Sequence, residues 1–211
     1  MKKFFLLPLL AVFFAMTGVA SASAQTVDTS NPDQMIKTVT QQVMDEIRND
    51  KSIQAGDLNR ITELVNQKIL PYTDFRRTTQ LAMGRNWRAA TPQQQSQIVE
   101  QFKTLLIRTY SGALAQVRNQ QIQYKPFRAS PDDTDVVVRS TVLNNGQPIE
   151  LDYRLYKTPQ GWRVYDINVL GAWLIQAYQQ QFQEKIQQGG VDGLIQFLTQ
   201  RNAQLAAGKA S

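Results

Sequence analysis

Histidine and cysteine are both absent from this 211-residue chain, and each absence removes chemistry. Without cysteine there is no disulfide framework and no thiol nucleophile. Without histidine, Ser-His-Asp and Cys-His pairs are impossible, as are zinc sites of the Cys/His type. Any enzyme built on this chain would need carboxylates, lysine or tyrosine as its acid and base. No phosphate-binding glycine loop and no oxyanion motif is present either. Charge is locally missing too: although 19% of the residues are charged, none lies between Asp166 and Glu184. That run, centred on "VLGAWLIQAY", is either ordinary core or the wall of an apolar cavity.

The first residues read as an export signal. Lys2 and Lys3 precede an apolar stretch from Phe4 to Val19, and Ala20-Ser21-Ala22-Ser23-Ala24 supplies overlapping A-x-A cleavage patterns. This predicts a signal peptide over residues 1–24, cut before Gln25 or two residues earlier. The stretch is short for a membrane span, and small residues follow it in place of a basic stop-transfer flank. No cysteine sits at the cut, which argues against a lipid anchor. The expected mature protein of 187 residues is one exported, soluble domain over 25–201 with a flexible tail over 202–211. Once Lys2 and Lys3 are gone, 21 basic residues face 17 acidic ones, a formal charge of +4. A cysteine-free exported chain of this size fits the periplasm at least as well as the outside of the cell.

Helices come first. Asn31-Pro32-Asp33 predicts a cap with proline at N1, followed by an apolar stripe of Ile36, Val39, Val43 and Ile47. A second short helix follows Asp57, with Leu58, Ile61, Val65 and Ile69 inward, and Pro71 ends it. "PYTDFRRTTQLAMG" predicts a third, stopped by Gly84, with Trp87 in the connection after it. Thr91-Pro92 opens the longest, with Gln94 placed for a capping box. Its stripe is Val99, Phe102, Leu106, Tyr110, Ala113 and Val117.

From about Gln121 the period changes to two. Ile149, Leu151, Tyr153 and Leu155 alternate with Glu150, Asp152, Arg154 and Tyr156. A two-residue Asn145-Gly146 turn pairs Asn144 with Gln147, setting Ile149 opposite Val142, Tyr153 opposite Val138 and Leu155 opposite Val136. It also sets Asp152 across from Arg139. A three-residue Pro159-Gln160-Gly161 loop pairs Leu155 with Tyr165, Tyr153 with Ile167 and Leu151 with Val169, while Arg154 meets Asp166. Either register shifted by one would mix faces. Gly171 ends the last strand. A helix with Leu174, Tyr178 and Phe182 on one side then runs to Gly189-Gly190, and a final short helix follows. The predicted class is α+β: a twisted four-stranded antiparallel sheet, including a strand near Gln121 to Phe127, with helices over one face.

The catalytic candidates are weak. Asp132-Asp133-Thr134-Asp135 lacks the glycine and terminal glutamate of a calcium loop and reads as a solvated turn. Glu150 and Asp152 share a strand face as an acid and base would, but Arg139 and Arg154 make cross-strand ion pairs the better account. Arg76, Arg77, Arg85 and Arg88 near aromatics superficially imitate a nucleic-acid patch, against which the export signal and small net charge both argue. The expectation is no enzyme, no metal and no nucleic acid.

Several stretches together resemble the MlaC family of periplasmic phospholipid-binding proteins, also called toluene-tolerance auxiliary proteins. They are "ILPYTDFRRTTQLAMGRNWRAATPQQQ", "FKTLLIRTYSGAL", "IELDYRLYKTPQGWRVYDINVLG" and "YQQQFQEKIQQGGVDGLIQFLTQRN", in the family's order. The resemblance implies a non-catalytic, monomeric carrier with no cofactor, its cargo a phospholipid whose acyl chains sit in an apolar pocket between sheet and helices. It implies shuttling between an outer-membrane lipoprotein–porin complex and an inner-membrane ABC transporter with an MCE-domain ring, which maintains outer-membrane lipid asymmetry. The alternative reading is a periplasmic adaptor whose core is simply filled.

Where the family often shows an acidic residue, glycine, a small apolar residue and serine after the last strand, this chain has Leu170, Gly171, Ala172 and Trp173. An arginine that follows the later tyrosine is here Gln179, after Tyr178. Polar roles at the changed positions do not transfer. Leu81, Trp87, Leu106, Tyr110, Leu151, Tyr153, Ile167, Val169, Ala172 and Trp173 are the expected lipid-contacting residues. Trp173 would narrow the pocket or bring its indole to the mouth.

Overall fold

The computed structural model describes residues 26–144 and 146–208. The expected signal peptide, Gln25, Asn145 and the last three residues lie outside them.

Among the described residues six α-helices form, five of them where the sequence pattern places them. The α1 helix spans Pro32–Asn49, with the Asn31 side chain accepting the Gln34 N–H at 3.1 Å. Its inward face is Met35, Ile36, Val39, Met44 and Ile47. The four-residue α2 (Lys51–Gln54), unexpected from the sequence, is capped by Asp50. Asp57 caps α3 (Leu58–Leu64) through the Asn59 and Arg60 N–H groups. Leu58 points outward, against expectation, because it is the first residue of its helix and lies beyond the α3 core contacts. A π-helical turn (Val65–Ile69) and a 3-10 turn (Leu70–Tyr72) around Pro71 then lead to α4 (Phe75–Met83), which Gly84 ends at φ +58°. After a 3-10 turn over Gly84–Ala89, α5 (Pro92–Ala115) opens with the expected Thr91–Gln94 capping box.

The sheet has six strands where four were expected: β1 (Gln121–Tyr124), β2 (Asp135–Val138), β3 (Ser140–Asn144), β4 (Gln147–Thr158), β5 (Gly161–Val169) and β6 (Ala172–Trp173). All named strand pairs are antiparallel. The extra two are small departures. One expected strand is split at Arg139, whose carbonyl accepts the Lys125 N–H at 2.9 Å while the Ser140 N–H turns to the Asp152 carboxylate at 3.1 Å. The register survives the split: Val142 opposes Ile149, Val138 opposes Tyr153 and Val136 opposes Leu155. The sixth strand forms because Leu170 and Gly171, at φ +56° and +85°, turn the chain back so that Ala172 pairs with Val169.

On the other edge of β4, Leu151–Val169, Tyr153–Ile167 and Arg154–Asp166 pair as expected, but Leu155 faces Val164, not Tyr165. The β4–β5 loop has two residues, Pro159 and Gln160, so Thr158 pairs with Gly161. A bulge at Tyr165 absorbs the difference, which puts Trp162 and Val164 on the same side as Ile167 and Val169. The α4 segment docks on this bulge. The Asp74 N–H donates to the Val164 carbonyl at 2.8 Å, and the Thr78 hydroxyl to the Tyr165 carbonyl at 2.6 Å.

The last helix, α6 (Leu174–Ala206), is broken at Gly189 and Gly190, where the latter sits at φ +67°. Residues 202–206, expected as loose tail, are helical. Asn202 is buried there because its amide donates to the Gln101 carbonyl and side chain at 2.9 and 2.8 Å.

Three buried clusters share the interior. Sheet residues Val136, Val138, Tyr153, Leu155, Trp162 and Val164 pack on the first turns of α1. The end of α1 packs with α2, α3 and Ile107 of α5. Phe102, Phe182, Leu194 and Leu198 join α5 to α6, with Met83 and Trp87 beside them.

Candidate functional site

The three clusters do not close on one another. Between them lies a cavity of about 430 Å³, lined by residues of the first two and by Phe75 and Leu106, which pack against the third. One wall is the sheet: Val142, Ile149, Leu151, Tyr153, Val164, Ile167 and Val169. The second is α1, from Met35 to Ile47. The third is the α5 stripe of Leu106, Ile107, Tyr110, Ala113 and Leu114, continued just past the helix end by Val117. Val65, Ile69, Leu70 and Tyr72 of the π and 3-10 turns close the remaining side. The volume lies within the roughly 300–1,000 Å³ usual for small-molecule sites. A second depression, about 510 Å³, lies between the Gly84–Ala89 turn and α6, but apart from Gly84 and Ile186 its lining is polar: three glutamines, Arg85 and Asn86.

Burial tells lining from packing here. Leu106, Tyr110, Leu151, Ile167 and Val169 are apolar and point inward, yet each is only half-buried. A filled core would bury them completely. Tyr153 is buried, and desolvation raises its pKa far above the ordinary phenol value; Tyr110 is shifted upward by the same cause. Both phenols are therefore neutral at physiological pH, and the wall carries no phenolate.

Six of the ten residues expected at a lipid site line this cavity: Leu106, Tyr110, Leu151, Tyr153, Ile167 and Val169. Four do not. Leu81 lies on an outer face of α4 and is 37% exposed. Trp87 is buried in the α4–α5–α6 core, with the Arg76 guanidinium 4.9 Å from its ring. Ala172 is exposed on the short β6 strand. Trp173 is half-buried, its ring stacked 3.8 Å from the Arg154 guanidinium, and neither narrows the cavity nor stands in its lining. The turn through Leu170 and Gly171 is what carries these two away; Leu174, the next residue, returns to the wall.

The α1 and π-turn residues were missed. Their signal was present as the Ile36–Ile47 stripe and the Val65–Ile69 spacing, but an inward stripe reads as core unless the hollow is seen.

The alternating partners of the sheet's apolar row are largely sequestered. Asp166 is 2% exposed and its carboxylate accepts the N–H groups of Ile167 and Ile175 and the Arg154 guanidinium. Burial raises its pKa, and those donors oppose the shift. Asp152 is buried against the Ser140 N–H, whereas Glu150 is exposed and pairs with Lys125 at 3.7 Å. The expected Asp152–Arg139 pairing gives way to this backbone contact, and the two carboxylates do not converge on a common pocket. Among the described residues no group of three or more acidic, histidine or cysteine side chains could hold a metal ion, and no helix is long and apolar enough to cross a membrane.

Comparison with known proteins gives matches to a family model, to curated proteins and to solved structures. The family model described as MlaC protein matches residues 37–200. The toluene tolerance protein ttg2D of Pseudomonas putida is 30% identical over 105 residues, which are 50% of this chain and 49% of that protein. This chain thus aligns with about half the length of that curated relative. A solved phospholipid-binding protein from Ralstonia solanacearum, in complex with a phospholipid, is 57% identical with a TM-score of 0.82. The match covers 84% of this chain and 99% of that one.

Proposed function

Because the chain belongs to the MlaC family, we propose that it is a phospholipid carrier that works by reversible burial of acyl chains, without catalysis. The carrying observation is the apolar cavity of about 430 Å³ in a fold whose 57%-identical relative was solved with a phospholipid. Leu106, Tyr110, Leu151, Tyr153, Ile167 and Val169, with the α1 and π-turn walls, are the proposed acyl-chain contacts.

Energetics favour an occupant. A sealed, empty hollow of this size would cost about 10 kcal/mol at roughly 24 cal/mol per Å³, comparable with the whole stability of a domain. Acyl chains recover about 0.8 kcal/mol for each buried CH₂, so roughly a dozen such groups offset that cost. The filled-core adaptor has no counterpart to this hollow.

The full proposal is a periplasmic shuttle between an inner-membrane MCE-domain ABC transporter and an outer-membrane lipoprotein–porin complex, serving lipid asymmetry. The apolar export-type leader and the family membership support it. Native mass spectrometry of the protein purified from a Gram-negative periplasm should show bound phospholipid. A lipid-free spectrum under gentle conditions, together with no uptake from vesicles, would sink the carrier reading. Transfer of labelled phospholipid to proteoliposomes bearing the transporter tests the shuttle separately.

A further inference from the structure

The α5 stripe that lines the cavity begins with a charge. Counting back from Leu114 through Ala113, Tyr110, Ile107 and Leu106, the same face of the helix arrives at Lys103, which also lines the cavity. Positions three and four apart share a helix face, so Lys103 occupies a place where the pattern calls for an apolar side chain. It is the single lysine or arginine among the residues lining the hollow. The other charged residue there, Asp166, is satisfied by two backbone N–H groups and Arg154.

Resting on the carrier reading, we infer that Lys103 is the headgroup-positioning residue, binding the phosphate of the phospholipid whose chains lie along the stripe behind it. The Lys103 side chain is 22% exposed, so its stem belongs to the wall while its ammonium reaches the rim. There it meets Glu100 at 2.5 Å, a carboxylate whose own side chain is 63% exposed. An ammonium has three donors, and one carboxylate oxygen leaves donors for a phosphate oxygen. An i,i+3 pair whose carboxylate is largely solvated is weak, and a charge-assisted bond to phosphate at the edge of an apolar cavity competes with it. Glu100 is then the partner that a phosphate displaces, and it holds the lysine at the rim. The arrangement recognises the phosphate common to glycerophospholipids and places no demand on what is esterified beyond it.

The test is loading from mixed vesicles containing phosphatidylglycerol and diacylglycerol with identical acyl chains, read by native mass spectrometry of the full protein. The unaltered chain should prefer the phosphate-bearing lipid by about tenfold. Lys103→Met should bring that preference close to unity by lowering phosphatidylglycerol loading far more than diacylglycerol loading, Lys103→Arg should keep it, and Glu100→Gln should strengthen it. An unchanged preference in Lys103→Met overturns the assignment, as does an equal loss of both lipids, which would mark Lys103 as merely structural. Displacement of phosphatidylglycerol by millimolar inorganic phosphate also counts against it, because that marks a free-anion site. If the unaltered chain loads neither lipid, the carrier reading itself fails and this inference with it, a result distinct from the others.

Discussion

The Asp166 carboxylate, held in β5, accepts the backbone N–H of Ile175 at 3.1 Å and so caps a helix that lacks a cap of its own. The residue at the N-cap position of α6 is Trp173, whose side chain makes no capping bond. Sheet and helix are thus joined through one buried acid, which Arg154 holds from the other side at 3.1 Å. Asp166→Ala leaves the Ile175 N–H orphaned and Arg154 without its partner. Loss of a cap plus an unsatisfied buried donor predicts destabilisation of about 2–3 kcal/mol, measured by urea unfolding. A change within experimental error would show that water replaces the carboxylate.

The same acid makes stability depend on pH. Burial raises its folded pKa above the unfolded value of 3.8. Its contribution is therefore complete below the unfolded value and is lost as pH rises through the folded one. Asp166→Asn does not titrate. The stability of the unaltered chain relative to that variant should rise as pH falls through the raised folded value toward 3.8. Parallel unfolding curves for the two proteins across that range would contradict the assignment.

Leu170 sits at φ +56° with 71% of its surface exposed, beside Gly171 at φ +85°. Two successive positive φ values are those of the hairpin turn that favours Asn-Gly. Leu170→Asn should relieve backbone strain and stabilise the chain by about 0.5–1 kcal/mol, seen as a higher Tm. A lower Tm would mean that the leucine makes a contact outweighing its conformation.

Val169 and Ala172 are cross-strand partners on opposite sides of the Leu170-Gly171 turn, yet only Val169 lines the cavity. Val169→Glu should lower phospholipid occupancy by tenfold or more, on the order of the cost of burying a charge against acyl chains. Its half-buried site can hydrate, so the fold should persist in circular dichroism. Ala172→Glu should change neither. Unfolding of Val169→Glu would place that residue in a packed core instead.

Much of the sheet was legible because its two turns are independent and had to agree on one apolar face. Where the second turn was misread, as three residues in place of two, the Tyr165 bulge restored the pairing of Leu151, Tyr153 and Arg154. Only Leu155 moved. That compensation cannot be read from local patterns, since a bulge is fixed by what docks on it, here Asp74 and Thr78. The cavity was harder still. Leu106 and Ile167 have the same chemistry whether they touch a neighbour or a void, so periodicity located the walls but not the space between them. Trp173 misled for a related reason: the sequence places it beside the apolar run, and the positive φ angles that turn it away are invisible until the backbone is known.

The turn over Val65–Ile69 has a final consequence. The Leu70 N–H reaches back to the Val65 carbonyl, five residues earlier, so this turn holds one residue more than the helix before it. The surplus lets Val65, Ile69 and Leu70 all front the hollow, where the pitch of a regular helix would swing Leu70 aside. Along this side, the room inside the protein is set by a count of residues and not by their size.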